Sequence, residues 1–125
     1  MDSKQLKKID PALGLMKDFS KISLGTTQAI QQLRQNVIFK DGVLPAKTKA
    51  LIAMVSGINA RCEPCLSYYA LQAKTLGAQE TELGEVLAVV STMGGCVGEM
   101  WALKAYKAFK EQDAMGDVCC EHANT

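Results

Sequence analysis

The 125-residue chain has almost no surplus charge of either sign: 14 Lys and Arg against 13 Asp and Glu leave a net +1. Nucleic-acid binding needs a basic stripe that releases counterions from phosphates. The densest basic stretches, Lys4 to Lys8 and Lys104 to Lys110, are short, and the second is spaced like one solvated helix face. No apolar run approaches the ~20 residues of a membrane helix. The opening MDSKQLKKID has no apolar h-region of a secretory signal, so the expectation is a cytoplasmic chain with no membrane partner. Sustained period-2 alternation is missing as well, which argues against a sheet. The single histidine, His122, sits near the C-terminus, where a lone histidine is ordinarily solvated.

What is present is helical spacing. Asp10-Pro11 reads as an N-cap followed by Pro at the first helical position. A helical region follows toward Phe39, with a break near Gly25, and Asp41-Gly42 is a turn signal. Leu44-Pro45 opens a helix to about Ala60 whose apolar face is Leu51, Ile52, Val55 and Ile58. The next helix starts within RCEPC, because Pro64 suits the first turn, and stops at Gly77. A further helix from about Gln79 to Thr92 places Leu83, Val86, Leu87 and Val90 inward, before Gly94-Gly95 breaks the chain. The last helix, about Cys96 to Gln112, carries Trp101, Ala105, Ala108 and Phe109 on one side, and a tail without a helical face follows from about residue 114. This is an all-α single domain over residues 1–125, of a size that supports a core. Methionines are expected as core fill and Cys96 as a packing residue.

The 5 cysteines are an odd number in a chain without an export signal, so a structural disulfide framework is a poor reading. Cys62 and Cys65 stand three apart, and a thioredoxin-like site would need a βαβ pattern that is missing. Residues three apart on a helix have Cβ atoms roughly 5–6 Å apart, so a small adjustment closes a disulfide. The first helical turn presents unpaired N–H groups and the positive end of the dipole, which favour a thiolate. Redox exchange, half of a metal site, and two small buried hydrophobes all remain open on this evidence. A zinc site would draw on Cys119, Cys120 and His122, in a spacing that matches no familiar knuckle. Cys119-Cys120 would otherwise be a labile dithiol carrying electrons to the pair, or two idle thiols.

The segment LPAKTKALIAMVSGINARCEPCLSYYALQAKTLGAQETELGEVLAVVSTMGG resembles the core of the carboxymuconolactone decarboxylase superfamily, especially its alkylhydroperoxidase D-like branch. The resemblance covers about residues 44–109. It lies in the Leu-Pro-x-Lys-x-Lys opening, the Cys-Glu-x-Cys helix start, Gly77-Ala78, the run Glu82-Leu83-Gly84-Glu85-Val86 and Gly94-Gly95. It implies a helical homo-oligomer, a trimer or hexamer, with no cofactor and no metal. It implies Cys62 and Cys65 as a redox pair serving a peroxide, a small disulfide or a lipoyl group, with a thiol electron donor. It also implies Cys65 as the attacking thiol. Two positions depart from the pattern: its Glu is Ala50 here, and its His, four residues after the second cysteine, is Tyr69. Tyrosine ordinarily titrates near pH 10, so this position offers a hydrogen-bond donor and a weak base, and the expectation is a slow peroxidase. Glu63 and Glu85 are substitute bases, set against the plainer roles of complementing the helix dipole and forming a solvated face. The competing functions are a cofactorless decarboxylase or lactone-processing enzyme, and a non-catalytic helical oligomer.

Overall fold

The computed structural model describes residues 3–124, the stretch 112–124 by its backbone alone. Among the described residues six α-helices follow one another: α1 Ser3–Ile9, α2 Met16–Ile22, α3 Thr26–Val37, α4 Ala46–Asn59, α5 Glu63–Thr75 and α6 Glu80–Asn124. A 3-10 turn, Pro11–Leu15, links α1 to α2, and no strand occurs among the described residues. Helix α6 has two arms, because Gly95 (φ 63°, ψ −147°) interrupts it where Gly94-Gly95 predicts a break.

The helix ends follow the local chemistry of the sequence. The Asp10 carboxylate accepts the Ala12 N–H at 2.9 Å, with Pro11 behind it. At the start of α4, Pro45 has no side-chain cap to offer, and Asp41 reaches forward to accept the Ala46 N–H at 2.8 Å. At the end of α5, Gly77 (φ 101°) donates to the Lys74 carbonyl and Ala78 to the Ala73 carbonyl. That is a Schellman closure, and its left-handed residue is the reason for glycine at 77.

The core lies among α4, α5 and α6. Ala50, Leu51, Met54 and Ile58 of α4 pack with Leu66, Ala70 and Ala73 of α5, and with Leu83, Leu87, Val90, Ala102, Ala105, Ala108 and Phe109 of α6. The buried face of α4 is therefore rotated from the expected one: Ile52 is exposed and Val55 only partly buried. The reason is Gly57, where a Cβ would lie 2.9 Å from the Leu66 backbone nitrogen and 3.0 Å from the Cys65 Cβ. α4 brings Gly57 up against the first turn of α5 and leaves Ile52 on the solvent side.

Three other expectations are corrected. Cys96 is exposed rather than packed. Met54 is fully buried, but Met93 and Met100 stand on the outer face of α6, so methionine is not general core fill. The stretch Glu80–Glu111 is long and apolar enough, by length and composition, to cross a membrane. In this fold it is bent at Gly95 and lends residues of both arms to the core. The helical trace runs to Asn124 through the region expected as a non-helical tail, and the side chains of Cys119, Cys120 and His122 lie outside the described residues.

Two markers of the sequence resemblance far apart in the chain meet in space. Lys47, from the Leu-Pro-x-Lys-x-Lys opening, pairs with Glu82 at 3.1 Å. Glu82 also accepts the Gln79 N–H at 2.9 Å, capping α6. That contact ties the start of α4 to the start of α6.

Candidate functional site

Cys62 occupies the joint between α4 and α5, and it is fixed from both sides. Its N–H donates to the Gly57 carbonyl at 2.9 Å while the Arg61 N–H donates to Ile58, so Arg61, at φ 58°, holds the left-handed place usually given to glycine. Its carbonyl accepts from Leu66, the first turn of α5. Its sulfur caps that helix, accepting the Cys65 N–H at 3.3 Å. Cys62 and Cys65 form a disulfide with Cα atoms 5.2 Å apart. The pairing distance expected for two residues on one helical turn is met.

The joint is clamped to the second arm of α6. Trp101 lies between two cations, with the Arg61 guanidinium 5.4 Å and the Lys104 ammonium 5.3 Å from its ring centre. Lys104 also pairs with Glu63 at 2.9 Å. Glu63, a substitute base in the sequence reading, is thus engaged on the α6 side of the helix. It does not line the cavity described next.

A cavity of about 540 Å³ opens on the other side of α5, between it, α3 and the N-terminal turns. From α5 it is lined by Pro64, Cys65, Tyr68, Tyr69 and Gln72, which share one helical face. From α3 it is lined by Gln28, Gln31, Gln32, Arg34 and Gln35, with Phe39 beyond. Leu6, Leu13 and Met16 complete it. Cys65 reaches this space and Cys62 is not among its walls. Phe39 stacks on Tyr69 at 6.0 Å, and Tyr68 meets both rings edge-on at 6.2 and 5.0 Å.

The structure therefore brings Cys62, Cys65 and Tyr69 together and leaves Glu85 apart. Glu85 is exposed on α6 and is not among the cavity's walls. Ala50, where the resembling pattern has glutamate, is a fully buried methyl in the core. Among the described residues, neither carboxylate nor imidazole lines the cavity, and Arg34 is its one charged side chain. Burial, with Tyr69 adding to it, raises the Tyr68 phenol above its ordinary range, while Arg34 pulls it the other way. Tyr68 is thus a protonated hydrogen-bond donor at neutral pH.

Sequence reasoning missed Arg34, Tyr68, Phe39 and the α3 glutamines. A signal was there: Gln28, Gln31, Gln32 and Gln35 fall at i, i+3, i+4 and i+7, the spacing of an inward helix face. They were passed over because that spacing is normally sought in apolar residues.

The family-wide sequence profile described as the carboxymuconolactone decarboxylase family matches residues 25–108. The chain belongs to that family. An uncharacterized protein of Cupriavidus necator is 39% identical over 75 residues, which is 60% of this chain. The match spans 66% of that relative's length, just under two thirds. A solved structure is similar too: an apo carboxymuconolactone decarboxylase family protein from Legionella pneumophila. It superposes at a TM-score of 0.75 with 30% identity, covering 86% of this chain and 96% of the other.

Proposed function

We propose that the protein is a thiol–disulfide oxidoreductase of the alkylhydroperoxidase D-like kind, acting in the cytoplasm through Cys62 and Cys65. One observation carries this: Cys65 lines a ligand-sized cavity, while Cys62 is not among its walls and stands at a helix N-terminus, its sulfur accepting a backbone N–H at 3.3 Å. A substrate thiolate entering the cavity attacks the Cys65 sulfur. The S–S bond breaks, and its electron pair leaves on Cys62. The Cys65 N–H and the positive end of the α5 dipole stabilise that departing thiolate. A second substrate thiol then attacks the substrate sulfur of the mixed disulfide, so substrate leaves as a disulfide and both cysteines are left reduced. In the opposite direction Cys65 attacks a substrate disulfide and Cys62 resolves the intermediate. Toward peroxide, Cys65 becomes the sulfenic acid and Cys62 condenses with it, releasing water. With no carboxylate or imidazole among the described cavity walls to take the Cys65 proton, that reaction is slow.

The outward apolar residues Ile30, Leu33 and Val37 of α3, and Val89, Met93 and Val97 of α6, support a homo-oligomer.

The disulfide form treated with dihydrolipoamide should yield lipoamide and free both thiols of the pair. Cys65→Ser should not react. Cys62→Ser, treated with lipoamide, should stall as a mixed disulfide on Cys65, visible as added mass. A Cys62→Ser/Cys65→Ser double variant with native activity would overturn the reading.

A further inference from the structure

We infer that the cavity selects thiols, and the disulfides formed from them, that carry both a carboxylate and an amide: the chemistry of a short cysteinyl peptide with a free C-terminus. Arg34 pairs the carboxylate. This rests on the redox reading above and names its substrate class.

Helix α3 contributes its glutamines, themselves solvent-exposed, and none of its apolar residues to the cavity wall. Its apolar residues Ile30, Leu33 and Val37 stand out at 41%, 60% and 54% exposure. The positions that line the cavity opposite Cys65 carry Gln28, Gln31, Gln32 and Gln35. Carboxamides each offer a donor and an acceptor, and a peptide group offers the complementary two. A purely aliphatic ligand seated there would leave those groups unpaired, which is unfavourable.

The charge pattern selects further. Arg34 is partly buried and is the only charged wall of the cavity among the described residues. The described ion pairs join Lys47 to Glu82, Lys104 to Glu63, Lys107 to Glu111 and Lys110 to Glu80, and none uses Arg34. Its charge acts inside the cavity, since it opposes the upward shift of the Tyr68 phenol. A guanidinium in that setting matches a carboxylate with two parallel hydrogen bonds, and the protonated Tyr68 supplies a further donor. Two such thiols are consumed per turnover of the disulfide form. The first displaces Cys62 from Cys65, the second displaces Cys65 from the first, and the products are one substrate disulfide and the reduced pair.

The test compares N-acetylcysteine with N-acetylcysteine amide, which share a thiol and an amide and differ by one carboxylate. Each is reacted with the full-length disulfide form, and rates are expressed per thiolate. The native protein should favour the carboxylate, and Arg34→Gln should shrink the ratio of the two rates about tenfold. Arg34→Lys should retain part of it, because charge survives and the fork does not. On the native protein alone, N-acetylalanine should slow oxidation of N-acetylcysteine while N-acetylalaninamide does not. An unchanged ratio in Arg34→Gln, or equal competition by the two alanine compounds, overturns the substrate class while leaving thiol exchange standing. Failure of both thiols to react, with dihydrolipoamide inert as well, overturns the redox reading and this inference with it.

Discussion

The two halves of this chain are built on opposite plans. From α4 onward, each helix turns an apolar ridge inward, and the described core belongs wholly to α4, α5, α6 and the Ala78 turn between the last two. Before α4, none of α1, α2 and α3 contains a buried residue, and on α3 it is exposed glutamines that line the cavity while Ile30, Leu33 and Val37 stand exposed outside it. The C-terminal half supplies stability and holds the disulfide. The N-terminal half supplies most of the polar wall that faces it. A helix need not serve the core to shape a site: α3 contributes carboxamides and one guanidinium to the cavity that Cys65 also lines.

Core truncations should break this comparison most sharply. Met54→Ala empties a fully buried site and should cost about 2–5 kcal/mol. Leu33→Ala, on the exposed side of α3 at 60% exposure, should change the stability of the isolated chain by less than about 0.5 kcal/mol. Urea unfolding of both variants reads the difference. Equal losses would mean that α3 is itself part of a buried core, for example across a subunit contact. Light scattering on the same samples would detect that contact.

A smaller effect is expected at the seam between α4 and the disulfide. Gly57→Ala places a methyl 2.9 Å from the Leu66 nitrogen and 3.0 Å from the Cys65 Cβ, an overpacking cost of about 1–3 kcal/mol. Because backbone rather than a flexible side chain must yield, α5 should shift at its first turn. Disulfide exchange should therefore slow along with the loss of stability. A stable Gly57→Ala protein with unaltered exchange kinetics would show that the Cys62–Cys65 geometry tolerates movement of this joint.

The smallest effect concerns acid. The Gln79 N–H, and then Lys47, hold the Glu82 carboxyl below its ordinary value of 4.5. A depressed folded-state value gives stability that is present above pH about 4.5 and lost as the pH falls through the folded value. Melting temperature should fall between pH 5 and pH 3, and Glu82→Gln should flatten part of that fall while lowering stability slightly at pH 7. Since the carboxyl is solvated, added salt should reduce the contribution of Lys47.

Much of the C-terminal half was legible from composition and spacing. Pro45, Pro64 and Gly77 mark ends of α4 and α5 because proline and glycine restrict or release the backbone locally, whatever surrounds them. The Gly94-Gly95 break was legible for the same reason. The inward faces of α5 and α6 follow the 3.6-residue period of their leucines and alanines. On α4 the apolar spacing includes Ile52, which the fold leaves exposed, and omits Ala50 and Met54, which it buries. The close approach of α5 at Gly57 selected Ala50 and Met54 over Ile52. Glu63 and Glu85 illustrate a related limit: a carboxylate near a motif in sequence has no fixed direction until its neighbours are placed. Lys104, 41 positions along the chain, turned Glu63 toward α6.

By itself, then, the sequence determined the all-helical class, the helix ends that Pro45, Pro64 and Gly77 mark, and the Cys62–Cys65 pair at the start of α5. All of these depend on interactions spanning a few residues, which one chain encodes directly. Only tertiary structure decided that Cys65 rather than Cys62 meets a cavity, that Glu85 stands apart from it, and that Arg34 and the α3 glutamines form its wall. Those outcomes depend on how whole helices rotate against one another, and that rotation is set by packing between residues distant in the chain. A single close contact such as Gly57 against Leu66 redirects every side chain on the helices that share it.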